Sequence, residues 1–173
     1  FWVLRTNKTT GKTKNHKGID YSPNTKSQGE DIVIKSPVSG IITHINTGCF
    51  PRKSKKDDSP TGNACGDGYG NTVWVDKILI KQTDISAWVE GGISRYQFRV
   101  GHLKEKTMAT FTVNEAITKG TKIGLMGTTG NSDGVHLHYE IKKYVINKNL
   151  KEEVKYLNPN NFNSEYLKEE KSV

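Results

Sequence analysis

Five histidines are spread over 173 residues, and two of them stand one residue apart in Val135-His136-Leu137-His138-Tyr139-Glu140. In a β-strand, side chains at i and i+2 leave the same face. His136, His138 and Glu140 then share one face, and Val135, Leu137, Tyr139 and Ile141 the other. On a helix the two imidazoles lie about 200° apart and cannot serve one site. The alternation, the β-branched and aromatic residues and the preceding Asn131-Ser132-Asp133-Gly134 turn favour the strand. Two imidazoles converging on a cleft suit metal binding, since histidine is the commonest metal ligand. Solvated surface histidines are the plain alternative.

His16 and Asp20 form a second pair, in Asn15-His16-Lys17-Gly18-Ile19-Asp20-Tyr21. Their spacing suits one helix face, but Gly18 and the following Ser22-Pro23-Asn24 argue for a turn feeding a short strand. Ile19 and Tyr21 then face a core and the Asp20 carboxylate faces away from it. His102 ends the alternating stretch Tyr96-Gln97-Phe98-Arg99-Val100-Gly101-His102-Leu103. Alternation puts it on the face of Tyr96, Phe98 and Val100, either as a boundary residue bonded to backbone or as one delivered to the edge of a cleft. His44 has no polar partner two residues away and reads as a surface or boundary histidine.

Combined, His16, Asp20 and His138 supply two imidazoles and a carboxylate. Three nitrogen and oxygen ligands with an open fourth position are the pattern of a catalytic zinc site, whereas structural zinc takes four ligands, usually with cysteine. His136 and His102 remain to hydrogen-bond a metal-bound water, whose pKa zinc lowers to about 7. An adjacent histidine can take its proton as general base.

The elements that must position these residues read as strands. Alternating segments occur at residues 32–45, broken by the turn Ser36-Pro37-Val38-Ser39-Gly40, at Thr72-Val73-Trp74-Val75 and at 96–103, and the β-like pattern continues through Ile78-Leu79-Ile80 and Ala87-Trp88-Val89. Glycine-punctuated corners follow at 119–130. The Gly-Lys-Ser/Thr ending of a phosphate loop is absent there. Residues 1–15 read as a polar arm or loop, and 163–173 as a charged tail, a short helix or frayed end. The chain begins at Phe1, which leads us to expect a fragment or processed product.

The length suffices for one domain with a core. No run of 18 apolar residues exists. The net charge of +8 favours polyanionic partners, with anionic cell-wall polymers among the candidates. No recognition helix, zinc knuckle or aromatic-basic motif supports nucleic acid. Cys49 and Cys65 bracket a lysine-rich excursion. A disulfide closing it removes about 3 kcal/mol of unfolded-chain entropy and implies an oxidising compartment. Two free thiols are the other reading, and their placement at the two ends of one loop favours the bridge.

The order His16-x-x-x-Asp20, Gly101-His102-Leu103, His136-Leu137-His138-Tyr139-Glu140 resembles the lysostaphin/LytM-type zinc metallopeptidases, which are peptidoglycan endopeptidases. Further similar stretches are Lys35-Ser36-Pro37-Val38-Ser39-Gly40, Tyr69-Gly70-Asn71, Ile123-Gly124-Leu125-Met126-Gly127-Thr128-Thr129-Gly130 and Asn158-Pro159. The resemblance runs from His16 to Phe162. It implies a mainly β fold with little helix, an antiparallel β-sheet groove of the duplicated hybrid motif type, walled by loops. It implies one zinc ion held by His16, Asp20 and His138, His136 as general base, and His102 steadying the tetrahedral intermediate. Tyr69 and Asn71 are expected to touch substrate. The expected domains are an arm at 1–15, the metallopeptidase domain at 16–162 with a cysteine-bracketed insertion at 47–68 as one wall of the cleft, and the tail.

The sequence departs from the family in three places. Residues 6–15 hold no tyrosine where members often have one, Val100 stands where tyrosine is common, and Tyr139 where phenylalanine is common. The resemblance implies a monomeric, extracytoplasmic domain, secreted, in the envelope or on a virion, acting on peptidoglycan stem peptides or cross-bridges. A non-catalytic scaffold of the same fold that activates another wall hydrolase is the alternative, which elemental zinc analysis separates. A biotinyl or lipoyl carrier is a third reading, since residues 34–40 and 115–120 resemble its half-repeats. The lysine flanked by methionines that such carriers modify is absent.

Overall fold

The computed structural model describes residues 3–6, 13–23, 31–57 and 59–162. The strands in chain order are β1 (Val3–Thr6), β2 (Thr13–His16), β3 (Ile19–Tyr21), β4 (Val33–Lys35), β5 (Gly40–Asn46), β6 (Asn71–Ile78), β7 (Ile93–Leu103), β8 (Ala116–Ile117), β9 (Lys122–Leu125), β10 (Leu137–Ile146) and β11 (Glu152–Leu157). Helix among the described residues amounts to little more than two 3-10 turns, Cys65–Gly68 and Ile85–Ala87. The main sheet runs β11-β10-β7-β6-β5-β8, and β3 joins it by pairing with the start of β10. The strand pairings within this sheet are antiparallel. β4–β9 and β1–β2 form separate two-stranded ladders.

Alternation gives the sheet two unlike faces. One carries Ile42, Val73, Val75, Tyr96, Phe98, Val100 and Ile141, all buried in the core. Phe162 closes it edge-on against Tyr96 and Phe98, with ring centroids 5.5 and 5.2 Å apart. Burying each such side chain contributes roughly 1.5–3 kcal/mol. The other face is polar. The registers place His44 opposite Trp74, Trp74 opposite Arg99 and Arg99 opposite Glu140, a row across four strands.

The expected antiparallel β-sheet with walling loops is the observed fold, but several local expectations are corrected. The segment before His16 is not only an arm, because β1 and β2 pair within it. The strands on either side of the Ser36–Gly40 turn exist but do not pair with each other. Ser36 donates its N–H to Thr121 O (2.8 Å) and its hydroxyl to Val38 O (2.7 Å), and the chain passes from the β4–β9 ladder to the main sheet. Residues 79–80 do not extend β6, since both N–H groups donate to Ser94 O, and residues 85–87 form a 3-10 turn. Leu79 and Val89 are exposed. The tail at 163–173 lies outside the described residues.

Cys49 and Cys65 are disulfide-bonded. The loop they close is tied to the segment leading into β10. Arg52 pairs with Asp133, its Nη1 donates to Asn131 Oδ1 (3.2 Å), and Asn131 N–H donates to Gly68 O (2.9 Å). A cleft of about 570 Å³ separates this loop from the polar face, with Thr47, Pro60 and Asp67 on the loop side and His44, Trp74 and Arg99 on the sheet side. The insertion is one wall of a groove.

Candidate metal centre

Three elements deliver the ligand candidates. His16 ends β2, Asp20 is the middle residue of β3, and His138 is the second residue of β10. The β3–β10 register sets Asp20 directly opposite His138. Gly18, in the turn between β2 and β3, lets the backbone pass against β10. A Cβ there would lie 2.5 Å from Tyr139 O and 2.9 Å from the His138 ring.

The result is a triangle of donor atoms. His16 Nε2 and His138 Nδ1 are 3.1 Å apart, His138 Nδ1 and Asp20 Oδ1 3.0 Å, and His16 Nε2 and Asp20 Oδ1 3.2 Å. Tetrahedral zinc with ligands at 2.0–2.1 Å sets its donors about 3.4 Å apart. The residues present therefore fit a zinc ion with an open fourth position, and they form a His/Asp group able to hold a metal among the described residues. His16 donates Nδ1–H to Gly18 O (2.9 Å), so its Nε2 carries the lone pair that faces the other two donors.

His136 and His102 stand beside this triangle, with ring centroids 4.6 Å apart. His136 Nε2 lies 3.5 Å from Asp20 Oδ2, and its Nδ1 donates to Gly134 O at 2.8 Å. The free lone pair of the neutral ring is then on Nε2. His102 is buried, its Nδ1 donates to Thr129 O at 2.8 Å, and its ring lies 6.0 Å from that of His138. Simple alternation set His102 on the apolar face. A left-handed φ of 58° at His102 and a register shift in the β6–β7 pairing break the alternation. Leu103 joins the core instead, and His102 turns to the site.

Electrostatics follow from burial and partners. Burial pushes the Asp20 carboxyl up, but hydrogen bonds from His138 and His16 and the nearby His136 hold it well below the usual carboxylate range. Burial pushes His102 down to about 4, so it is neutral at pH 7. Neutral, with its proton on Nδ1, His102 offers Nε2 only as an acceptor. It can steady an oxyanion only after gaining a second proton.

The two residues expected to touch substrate differ. Tyr69 lines the cleft with its ring 5.0 Å from that of His138 and Arg99 4.1 Å above it. Asn71 is buried, and its amide is committed to the chain. Nδ2 donates to Cys49 O (3.0 Å) and Leu103 O (3.3 Å), and Oδ1 accepts from Cys49 N–H (2.9 Å). Its own N–H donates to Thr129 Oγ1, 3.0 Å away. Asn71 is a brace between the disulfide loop and the backbone that holds His102. Gly70 makes this crossing possible at φ 67°, where a Cβ would meet Thr129 O at 2.3 Å.

Sequence reasoning missed Thr129 and the polar row. The signal for the row was present: Trp74, Arg99 and Lys142 sit at alternate positions in strands whose other face is apolar. His44, expected at the surface, is exposed and stacks on Trp74 with ring centroids 4.6 Å apart.

Comparison with known proteins adds a family. Residues 14–159 match the model of peptidase family M23. The catalytic domain of the antimicrobial peptidase lysostaphin from Staphylococcus simulans is similar at 19% identity, over 86% of this chain and 78% of that one, with a TM-score of 0.47. A mutant catalytic domain of the prophage-encoded M23 protein EnpA from Enterococcus faecalis is similar at 17% identity, over 92% and 89% of the two chains, with a TM-score of 0.48. A zinc-containing peptidase from Vibrio cholerae is similar at 19% identity and TM-score 0.49, over 90% of this chain and 34% of that one. No curated protein matches the sequence significantly.

Proposed function

The chain belongs to peptidase family M23, and from that premise we propose a zinc-dependent endopeptidase that hydrolyses peptide bonds in bacterial peptidoglycan, in stem peptides or cross-bridges. The observation that carries this reading is the triangle of His16 Nε2, Asp20 Oδ1 and His138 Nδ1 with 3.0–3.2 Å edges. His16, Asp20 and His138 would hold the ion, which when bound would supply Lewis acidity at the scissile carbonyl and lower the pKa of water. His136 Nε2 takes the proton from that water, because its Nδ1–H is already given to Gly134 O. His102 Nε2, the acceptor of a neutral ring, orients the water by accepting a hydrogen bond. Tyr69 and the loop wall hold the peptide across the cleft. The disulfide supports an extracytoplasmic setting, and the positive charge supports attraction to anionic wall polymers.

The test is mass spectrometry of muropeptides released from purified walls of different cross-link chemistry, with and without chelator. The expected outcome is release of cleaved peptides that chelator abolishes and zinc restores. Zinc-loaded protein that cleaves no wall type would sink the proposal.

A further inference from the structure

Glu140 leaves the same face as His138, two residues along β10. It is 1% exposed, yet neither carboxylate oxygen has a hydrogen-bond partner. Three cationic or protonatable nitrogens surround it. His138 Nε2 lies 3.7 Å from Oε2, Arg99 Nη1 3.7 Å from the same oxygen, and Lys142 Nζ 3.4 Å from Oε1. The β7–β10 register sets Arg99 directly opposite Glu140.

On the other side of the contact, His138 is 2% exposed and its Nε2 is also buried without a partner. Its Nδ1 belongs to the donor triangle. An imidazole that presents a lone pair through Nδ1 must carry its proton on Nε2. That N–H then points into a protein interior, where a buried donor without an acceptor is destabilising. The nearest acceptor is the Glu140 carboxylate, and a closure of under about 1 Å brings the pair to charge-assisted hydrogen-bond length.

We infer that Glu140 is the positioning residue for the zinc ligand His138: it accepts the Nε2–H, fixes the ring with Nδ1 towards the metal, and is itself kept buried as an anion by Arg99 and Lys142. A carboxylate behind a ligating imidazole fixes the tautomer and raises ligand basicity. The inference rests on the zinc reading above, and Glu140 itself stays out of the ligand set.

The experiment is a chelator-competition measurement of zinc affinity on the full chain, comparing wild type with Glu140→Gln. We expect zinc binding about 10–100-fold weaker in the variant, the range for losing such a supporting partner. Because that change leaves Arg99 and Lys142 without their counter-charge, a Glu140→Gln, Lys142→Gln double variant is measured alongside, with the same loss expected. A second readout needs no substitution. In zinc-loaded wild type labelled with 15N-histidine, His138 should show one slowly exchanging Nε2–H, which a purely structural carboxylate would not protect. Absence of that proton, or variant affinity equal to wild type, overturns the inference. Wild-type protein that takes up no zinc overturns the zinc reading and this inference with it; tight wild-type binding unchanged by the substitution overturns this inference alone.

Discussion

Opening the Cys49–Cys65 disulfide should lower stability by about 3 kcal/mol. The bridge spans a sequence separation of 16. The chain-entropy relation for a loop of that length gives about 10 cal/mol/K, or about 3 kcal/mol at 25 °C. This is a large part of the 5–15 kcal/mol typical of a whole domain. The loop has other ties, the Arg52–Asp133 pair and the Asn131 to Gly68 hydrogen bond. They act in the folded state and leave the entropic effect on the unfolded chain untouched. The assay is urea unfolding of metal-free wild type against Cys49→Ala, Cys65→Ala. At a slope of about 1–3 kcal/mol per molar urea, the midpoint should fall by about 1–3 M. Hydrogen exchange locates the change: Cys49 N–H donates to Asn71 and His102 N–H to Tyr69 O (2.7 Å), so both amides should lose protection. A stability loss under about 1 kcal/mol would refute the reasoning, since the unfolded chain would then gain little freedom from the cut.

Three further outcomes follow from the site. His138→Ala should lose bound zinc by elemental analysis, whereas His136→Ala should keep it and lose about 10²–10⁴-fold in rate on cross-linked wall; equal metal loss in both would overturn the division between ligand and base. Asn71→Ala should destabilise by roughly 2–4 kcal/mol in thermal or urea unfolding, because it strips three side-chain hydrogen bonds and leaves the buried Cys49 N–H unpaired. A raised KM at unchanged stability would return Asn71 to the substrate. His102 has a folded-state pKa pushed from 6.5 down to about 4. The unfolded chain therefore takes up the proton first, and its contribution, roughly 3 kcal/mol, is present above pH 6.5 and lost as the pH falls towards 4. Urea unfolding of metal-free protein across that window should show a slope that His102→Asn removes, and an unchanged slope would contradict it.

Much of this molecule was legible in the sequence, because β alternation is local. A period of two put His136, His138 and Glu140 on one face and Tyr139 and Ile141 on the other without any knowledge of partners. The Gly18 turn separated His16 from Asp20 by the same kind of reasoning, and the cysteine-bracketed excursion announced a loop closed at its base. What tertiary structure decided is distance across the sheet. Asp20 and His138 are 118 residues apart and meet only because β3 and β10 pair in one register. A shift of one residue would send His138 to the core. The turn of His102 towards the site depends on a left-handed backbone that alternation does not announce. Asn71 looked available and is not, since hydrogen-bond partners from three other segments close around it. Glu140 could be placed on a face from sequence alone. Only packing showed that its carboxylate is buried behind His138, between Arg99 and Lys142.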